Sequence, residues 1–253
     1  MFMQNIRRAT RKHRKLLLVI VILLCVGMVG SFAVWGSGNF NTDKDWSEMT
    51  FVEKAQYYQN YIPTLGYPEE ASELTYEQAS ELGDLYQTLS NLAQSAFDEE
   101  SAEGYDAIAT DSLSKAVGYL VQAAELSKDL PDSEMQRQWE NIASIYTNLG
   151  ETSSSEAAYH KAAGFAEAAL DLTDLSEQEK ADAYISVGDL YVSGADLDSA
   201  SRLYWKAIDI YRASLDQAET AADKAGIWVN IAGLFEKSGD TEGRANAYQE
   251  AIR

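Results

Sequence analysis

The chain of 253 residues has one cysteine, Cys25, and two histidines, His13 and His160. Cys25 lies in an apolar run near the N-terminus, so the body that follows can form no disulfide of its own. A Cys/His zinc site, a Ser-His-Asp triad or a Cys-His pair in that body would have to rest on His160 alone, which argues against most common catalytic chemistry. Proline is scarce as well, with Pro63, Pro68 and Pro131 the three copies, so little in the chain interrupts a helix. Basic groups are few beyond the N-terminus: residues 36–253 carry 14 Lys+Arg against 40 Asp+Glu, a net of −26. Such a body repels phosphate backbones, so no nucleic-acid partner is expected. Anionic lipid headgroups repel it too, so it should not lie flat on a membrane. No glycine-rich phosphate loop, dinucleotide fingerprint or zinc spacing appears. Asp171-Leu172-Thr173-Asp174 and Asp196-Leu197-Asp198 lack the glycine and terminal glutamate of a calcium loop. Glu69-Glu70 and Asp98-Glu99-Glu100 fall in expected loops and read as solvated acidic surface rather than a general acid/base pair. No cofactor or metal is expected, and the protein reads as non-enzymatic.

The charges that are present are segregated. Residues 1–15 hold Arg7, Arg8, Arg11, Lys12, Arg14 and Lys15 and no acid, and residues 16–35 hold no charge. The run LLLVIVILLCVGMVGSFAVW matches a hydrocarbon core of ~30 Å at a rise of ~1.5 Å per residue. Trp35 stands where an interfacial aromatic is expected, and the basic tip abuts the other end. By the positive-inside rule the tip is cytoplasmic and residues 36–253 lie outside the cytoplasmic membrane, as in a bacterial-type envelope. A cleaved leader is the main rival, with Ser31-Phe32-Ala33 a loose cleavage site, but the run is long for a leader's apolar core. A lipoprotein reading through Cys25 is opposed by Leu24, which stands where a small residue is wanted. The expected organisation is a tip (1–15), a signal anchor (16–35), a Gly/Ser/Asn linker (36–47), a leading helix and loop (48–74) and a helical repeat domain (75–253).

Within the body, apolar residues recur three and four apart, with no sustained period of two, so the expected fold is all-α. Thr50 with Glu53, Thr75 with Gln78 and Ser176 with Glu179 have the spacing of N-terminal capping boxes. Self-comparison then gives the strongest signal. Trp139-x2-Ile142-Ala143-x2-Tyr146 aligns with Tyr184-x2-Val187-Gly188-x2-Tyr191 and Trp228-x2-Ile231-Ala232-x2-Phe235. The small residue recurs at 143, 188 and 232. A turn signal follows each block, at Gly150, Gly194-Ala195 and Gly239. A second aromatic and a small residue come next: Tyr159 and Ala162, Tyr204 and Ala207, Tyr248 and Ala251. Ala79-x2-Leu82-Gly83-x2-Tyr86 begins a diverged fourth copy, with its second helix delayed by the acidic stretch 98–104. The expected pairs are about 75–130, 133–173, 176–216 and 219–253.

This pattern resembles the tetratricopeptide repeat, most closely over 181–214, where Tyr184, Val187-Gly188, Tyr191, Ala200, Tyr204 and Ala207 match it. Ser155 and Arg244 depart from it, the terminal proline is missing, and the repeat of about 45 residues exceeds the family's usual ~34. The resemblance implies an antiparallel helix-pair solenoid whose first helices line a concave groove for a protein partner. Counted from the small residue, that groove would present Arg137, Glu140, Ser144, Thr147 and Asn148, then Asp182, Ile185, Asp189 and Val192, then Val229, Gly233, Glu236 and Lys237. The family's lysine-and-asparagine carboxylate clamp is not reproduced, so the expected occupant is an extended or helical segment, neutral or basic. A homo-oligomer is left open by the short last helix.

The layout of basic tip, single anchor and acidic repeat domain also resembles the translocon-associated YfgM-like proteins. It implies an adaptor or scaffold beside the protein-export machinery or its chaperones. The alternatives are a scaffold of a cell-wall, pilus or secretion assembly, and, in another class, an acidic-residue hydrolase with two converging carboxylates.

Overall fold

The computed structural model describes residues 44–68, 70–127, 129–170 and 175–253. The basic tip, the expected anchor and most of the linker lie outside the described residues. Among those described, no helix is long and apolar enough to cross a membrane.

Among the described residues nine α-helices follow one another: α1 (Phe51–Tyr61), α2 (Tyr76–Glu100), α3 (Tyr105–Leu126), α4 (Asp132–Asn148), α5 (Thr152–Leu170), α6 (Glu177–Ser193), α7 (Leu197–Ser214), α8 (Ala221–Lys237) and α9 (Thr241–Ile252). Short 3-10 turns sit at Trp46–Glu48, Ile62–Leu65 and Ala71–Glu73. The three expected capping boxes form, each hydroxyl accepting from an orphan amide while the N3 side chain accepts from the cap's own N–H. A fourth, Thr220 with Asp223, starts α8; its aspartate departs from the usual Glu/Gln and hid it from the pattern.

The helices pack as hairpins, α2/α3, α4/α5, α6/α7 and α8/α9, and the second helix of each pair rests on the first helix of the next. The first helices of the last three pairs begin at 132, 177 and 221, which is the period read from the small residues. Three apolar clusters follow one another along the body, with Leu203, Tyr204, Ile208 and Ile231 fully buried in the C-terminal one.

Small residues set the spacing within hairpins. A Cβ placed on Gly83 would lie 2.6 Å from the Leu120 side chain, and one on Gly188 would lie 2.6 Å from Cε1 of Tyr204. Ala143, Ala162, Ala200, Ala207 and Ala232 are buried, as are Trp139, Tyr191, Tyr204 and Phe235. Tyr146, Tyr159, Tyr184 and Trp228 are half-buried against the same clusters.

The turns between paired helices repeat one device. In α4/α5 the Glu151 amide donates to Tyr146 O (2.8 Å) and the Gly150 amide to Thr147 O (3.0 Å). The same two bonds recur from Asp196 and Ala195, and from Asp240 and Gly239. This is the Schellman end, which needs a left-handed residue. Gly150 (φ 75°) and Gly239 (φ 78°) supply it cheaply, whereas Ala195 (φ 58°) stands there in the middle repeat. There the glycine has moved one place earlier, because a Cβ on Gly194 would sit 2.7 Å from the His160 backbone nitrogen. Asp196 and Asp240 then cap the next helix, accepting from Ser199 N (3.0 Å) and Gly243 N (2.8 Å).

Two expectations are corrected. Asp98-Glu99-Glu100 form the last turn of α2 rather than a loop, and Glu100 reaches back to accept from the free amides of Phe51 (2.7 Å) and Val52 (3.1 Å) at the start of α1. An acid at a helix N-terminus is held by exposed N–H groups and the helix dipole. Tyr248 is not a packing residue: it is 42 % exposed, and Ala247 is buried in its place. The reason lies in its partners. Tyr204 enters the space above Gly188 and its hydroxyl donates to Asp189 Oδ1 (2.6 Å). In the last repeat Ala232 stands at the position of Gly188 and Gly233 at that of Asp189, so neither the glycine gap nor the carboxylate that receive Tyr204 is repeated there. Ala251 is half-buried.

Candidate functional site

The first helices α4, α6 and α8 carry the expected groove positions. Arg137, Ser144, Thr147, Asn148, Asp182, Asp189, Val192, Val229, Glu236 and Lys237 are exposed, and Glu140, Ile185 and Gly233 are half-buried. Contacts between first helices show that these helices stand side by side. Gln87 on α2 and Asn141 on α4 exchange amide hydrogen bonds (3.3 and 3.4 Å), and Gln138 on α4 donates to the Tyr76 hydroxyl on α2 (3.2 Å). On α8, Lys237 Nζ reaches both carboxylate oxygens of Asp189 on α6 (2.6 and 2.7 Å).

Asp189 is the node of that face. It accepts from Lys237 on the first helix of the next repeat and from the Tyr204 hydroxyl, and the Lys237 ammonium also lies 5.7 Å from the Tyr204 ring centroid. Burial is the first cause that pushes the Tyr204 phenol up, and its bond to Asp189 adds to it. Val192 (42 % exposed) and Val229 (47 % exposed) are the large apolar side chains left open on this face, beside half-buried Ile185. Elsewhere on it Gln136 donates to Glu140 (2.8 Å), Gln178 to Asp182 (3.1 Å) and Arg244 to Glu236 (3.2 Å). Thr147 shares its hydroxyl with Ser155 (2.7 Å) and donates to Ala143 O (2.9 Å), so Ser155, where the family pattern wants alanine, is buried and satisfied. The resulting surface is polar, with a small aliphatic strip and an internally balanced ion pair.

The opposite side, built by second helices, locks repeats together. The Arg202 guanidinium on α7 grips Glu167 on α5 with two bonds (2.6 and 2.8 Å), and the Tyr191 hydroxyl on α6 adds a third (3.0 Å). Arg202 is the main reason that the Glu167 carboxyl lies below its ordinary range. Burial and the bond to Glu167 push the Tyr191 phenol up to about 12. His160 is exposed, as expected of a second-helix position, yet engaged: Nε2 lies 3.2 Å from Asp196 Oδ2 and the ring meets Tyr191 edge-on. Sequence reading missed two periodic contacts here. Lys161 sits 3.8 Å from the Trp139 ring centroid and Lys206 sits 5.0 Å from that of Tyr184. Both lysines lie 18 residues after the small residue of their repeat, and Glu250 takes that place in the last one. Trp205 packs edge-on against Phe235 as His160 does against Tyr191, a register shared by both pairs.

For chemistry the arrangement offers little. Among the described residues no three His, Cys, Asp or Glu side chains are grouped to hold a metal ion. An open cavity of about 460 Å³ lies where α1 ends short over α2 and α3. Its lining includes a single carboxylate, Asp111, which is paired with Lys115 at 2.8 Å. A hydrolase of the two-carboxylate kind needs a second acid beside it.

No family model matches the chain, and no curated protein matches it. Among solved structures it is similar to BtubC (BKLC) from P. vanneervenii, at 20 % identity and a TM-score of 0.31, covering 81 % of this chain and 91 % of that one. It is also similar to a Podosopora anserina kinesin light chain protein with nearly identical TPR-like repeats, at 10 % identity and a TM-score of 0.34, covering 80 % and 92 %.

Proposed function

We propose that this protein is a non-enzymatic tetratricopeptide-type adaptor, anchored through residues 16–35 and holding a protein segment against the face of its first helices outside the cytoplasmic membrane. The observation that carries this reading is the tandem helix-pair array, whose first helices α4, α6 and α8 keep most of the expected groove positions exposed. Repeat arrays of this kind bind along such surfaces because each repeat adds a similar patch. Val192 on α6 and Val229 on α8, the two helices that the Asp189–Lys237 pair joins, supply exposed apolar contact. The surplus of acid on the body favours a neutral or basic segment by charge complementarity. The segregated charge of residues 1–35 supports the anchor and its orientation. In its most specific form, the adaptor works beside the protein-export machinery or its chaperones.

The test is photo-crosslinking in intact membranes with the full chain. A crosslinking side chain at Val192 or Val229 is expected to capture a defined partner, while one at exposed Asp209 on α7 captures far less. Equal capture at all three positions, or none at the two valines, would overturn groove binding. Alkaline extraction of the same membranes tests the anchor separately: release of the chain would remove it.

A further inference from the structure

The first turn and helix of the body differ from the rest of it. Trp46 meets Tyr57 edge-on (5.6 Å between centroids, 79°) and Tyr58 likewise (6.1 Å), and Tyr57 stacks on Tyr61 (5.8 Å, 9°). Tyr58 turns inward with Ala55 and Ile62 to pack on α2 and α3. Tyr57 and Tyr61 share the neighbouring stripe of α1, i and i+4, with Trp46 (36 % exposed) beside them. Lys54 lays its ammonium 5.7 Å from the Trp46 ring and 5.5 Å from the Phe51 ring.

Composition separates this edge from the remainder. Residues 44–66 hold five aromatics in 23 positions and a net charge of −1; residues 67–253 hold 18 in 187 and a net charge of −24. Repulsion from an anionic leaflet therefore acts mainly on residues 67–253 and is weakest at this edge. Tryptophan and tyrosine are also the residues that settle at a headgroup layer, where an apolar ring and a polar tip are both satisfied. The Lys54 ammonium held over these rings places a positive charge at the edge, where it favours lipid phosphate. Chain length permits the contact. Ten residues separate Trp35, at the end of the apolar run, from Trp46, and ten extended residues reach at most about 35 Å.

We propose that the aromatic edge made by the turn Trp46–Glu48 and α1 rests on the lipid interface next to the anchor and orients the acidic repeat array away from the bilayer. The inference rests on the anchored reading above and adds a second, peripheral membrane contact to it. The body then stands on its N-terminal end, and the first-helix face stays clear of lipid.

The experiment uses the full chain, with Cys25→Ser, in vesicles of zwitterionic and anionic phospholipid. An environment-sensitive fluorophore is placed on Asn60→Cys, between Tyr57 and Tyr61, or on Asn230→Cys of α8 as the distant control. The Asn60 label is expected to show a severalfold rise in emission with a blue shift in vesicles relative to detergent-free buffer, and the Asn230 label none. Adding Trp46→Ser, Tyr57→Ser and Tyr61→Ser should abolish the rise while circular dichroism shows the helices retained. If both labels read as aqueous while the chain stays with vesicles through an alkaline wash, this inference falls and the anchor stands. If the wash removes the chain, the anchor reading fails and the interface contact fails with it.

Discussion

Gly188→Ala should destabilise the repeat array, although the substitution improves local helix propensity. A Cβ at 188 would lie 2.6 Å from Cε1, 3.0 Å from Cδ1 and 3.2 Å from Cζ of Tyr204. The neighbour is a rigid ring that is 1 % exposed, so it cannot yield by a simple rotamer change. Overpacking of this kind costs about 1–3 kcal/mol. Displacing the ring also breaks the 2.6 Å bond from its hydroxyl to Asp189, worth roughly 1–2 kcal/mol for a charged acceptor that is half exposed. Against this, alanine returns about 1 kcal/mol over glycine in a helix interior. The net expectation is a loss of about 2 kcal/mol, or roughly 4–8 °C in Tm for a domain of this size. The protein contains its own precedent, since Ala232 stands at the equivalent position and Tyr248 there is turned outward. Thermal and urea unfolding followed by circular dichroism would measure the effect. Tyr204→Phe isolates the hydroxyl, and Tyr204→Leu provides the second corner of a cycle in which Gly188→Ala should cost less. A Gly188→Ala protein as stable as the parent, or more so, would show that helix propensity outweighs the clash and would refute the close-approach account of the small residue.

Ala195→Gly should stabilise the array by about 1 kcal/mol, because Ala195 holds a left-handed φ of 58° that its sibling turns give to glycine; urea midpoints would show it. Glu167→Gln should lower stability at neutral pH by weakening the grip of Arg202. The folded carboxyl of Glu167 lies below its ordinary value, so its contribution is present above that value and is lost as pH falls through the folded one. The gap between parent and variant should therefore close below about pH 4, and a gap independent of pH would count against the ion pair. Lys161→Gln should cost about 0.5–1 kcal/mol through loss of the contact with Trp139, and tryptophan emission together with unfolding midpoints would read both changes.

Much of the fold was legible in the chain because helix pairing leaves a periodic trace. Small residues at 143, 188 and 232 are required wherever two helices approach, and they brought the period, the helix class and most of the packing aromatics with them. Capping boxes were legible since an N-cap and its N3 partner are local in sequence. The groove positions followed by counting, but which of them engage one another did not. Asp189 meets Lys237 48 residues away, and Glu100 meets the start of α1 49 residues upstream. Such partnerships depend on how repeats stack, which no local spacing encodes.

What the sequence determined by itself is a segregated chain: basic tip, uncharged apolar run, and an acidic, proline-poor body with a helical repeat of 45 and 44 residues. These follow from charge and periodicity alone. Only the tertiary structure decided which aromatic of each repeat is buried. Tyr204 is buried against a glycine and bonded to a carboxylate, whereas Tyr248, at the same place in a repeat that has Ala232 and Gly233 at those positions, is 42 % exposed. Tertiary packing likewise gathered Trp46, Tyr57 and Tyr61 into one edge. Burial is settled by the space and partners that a neighbouring helix leaves, and those exist only once the helices have packed.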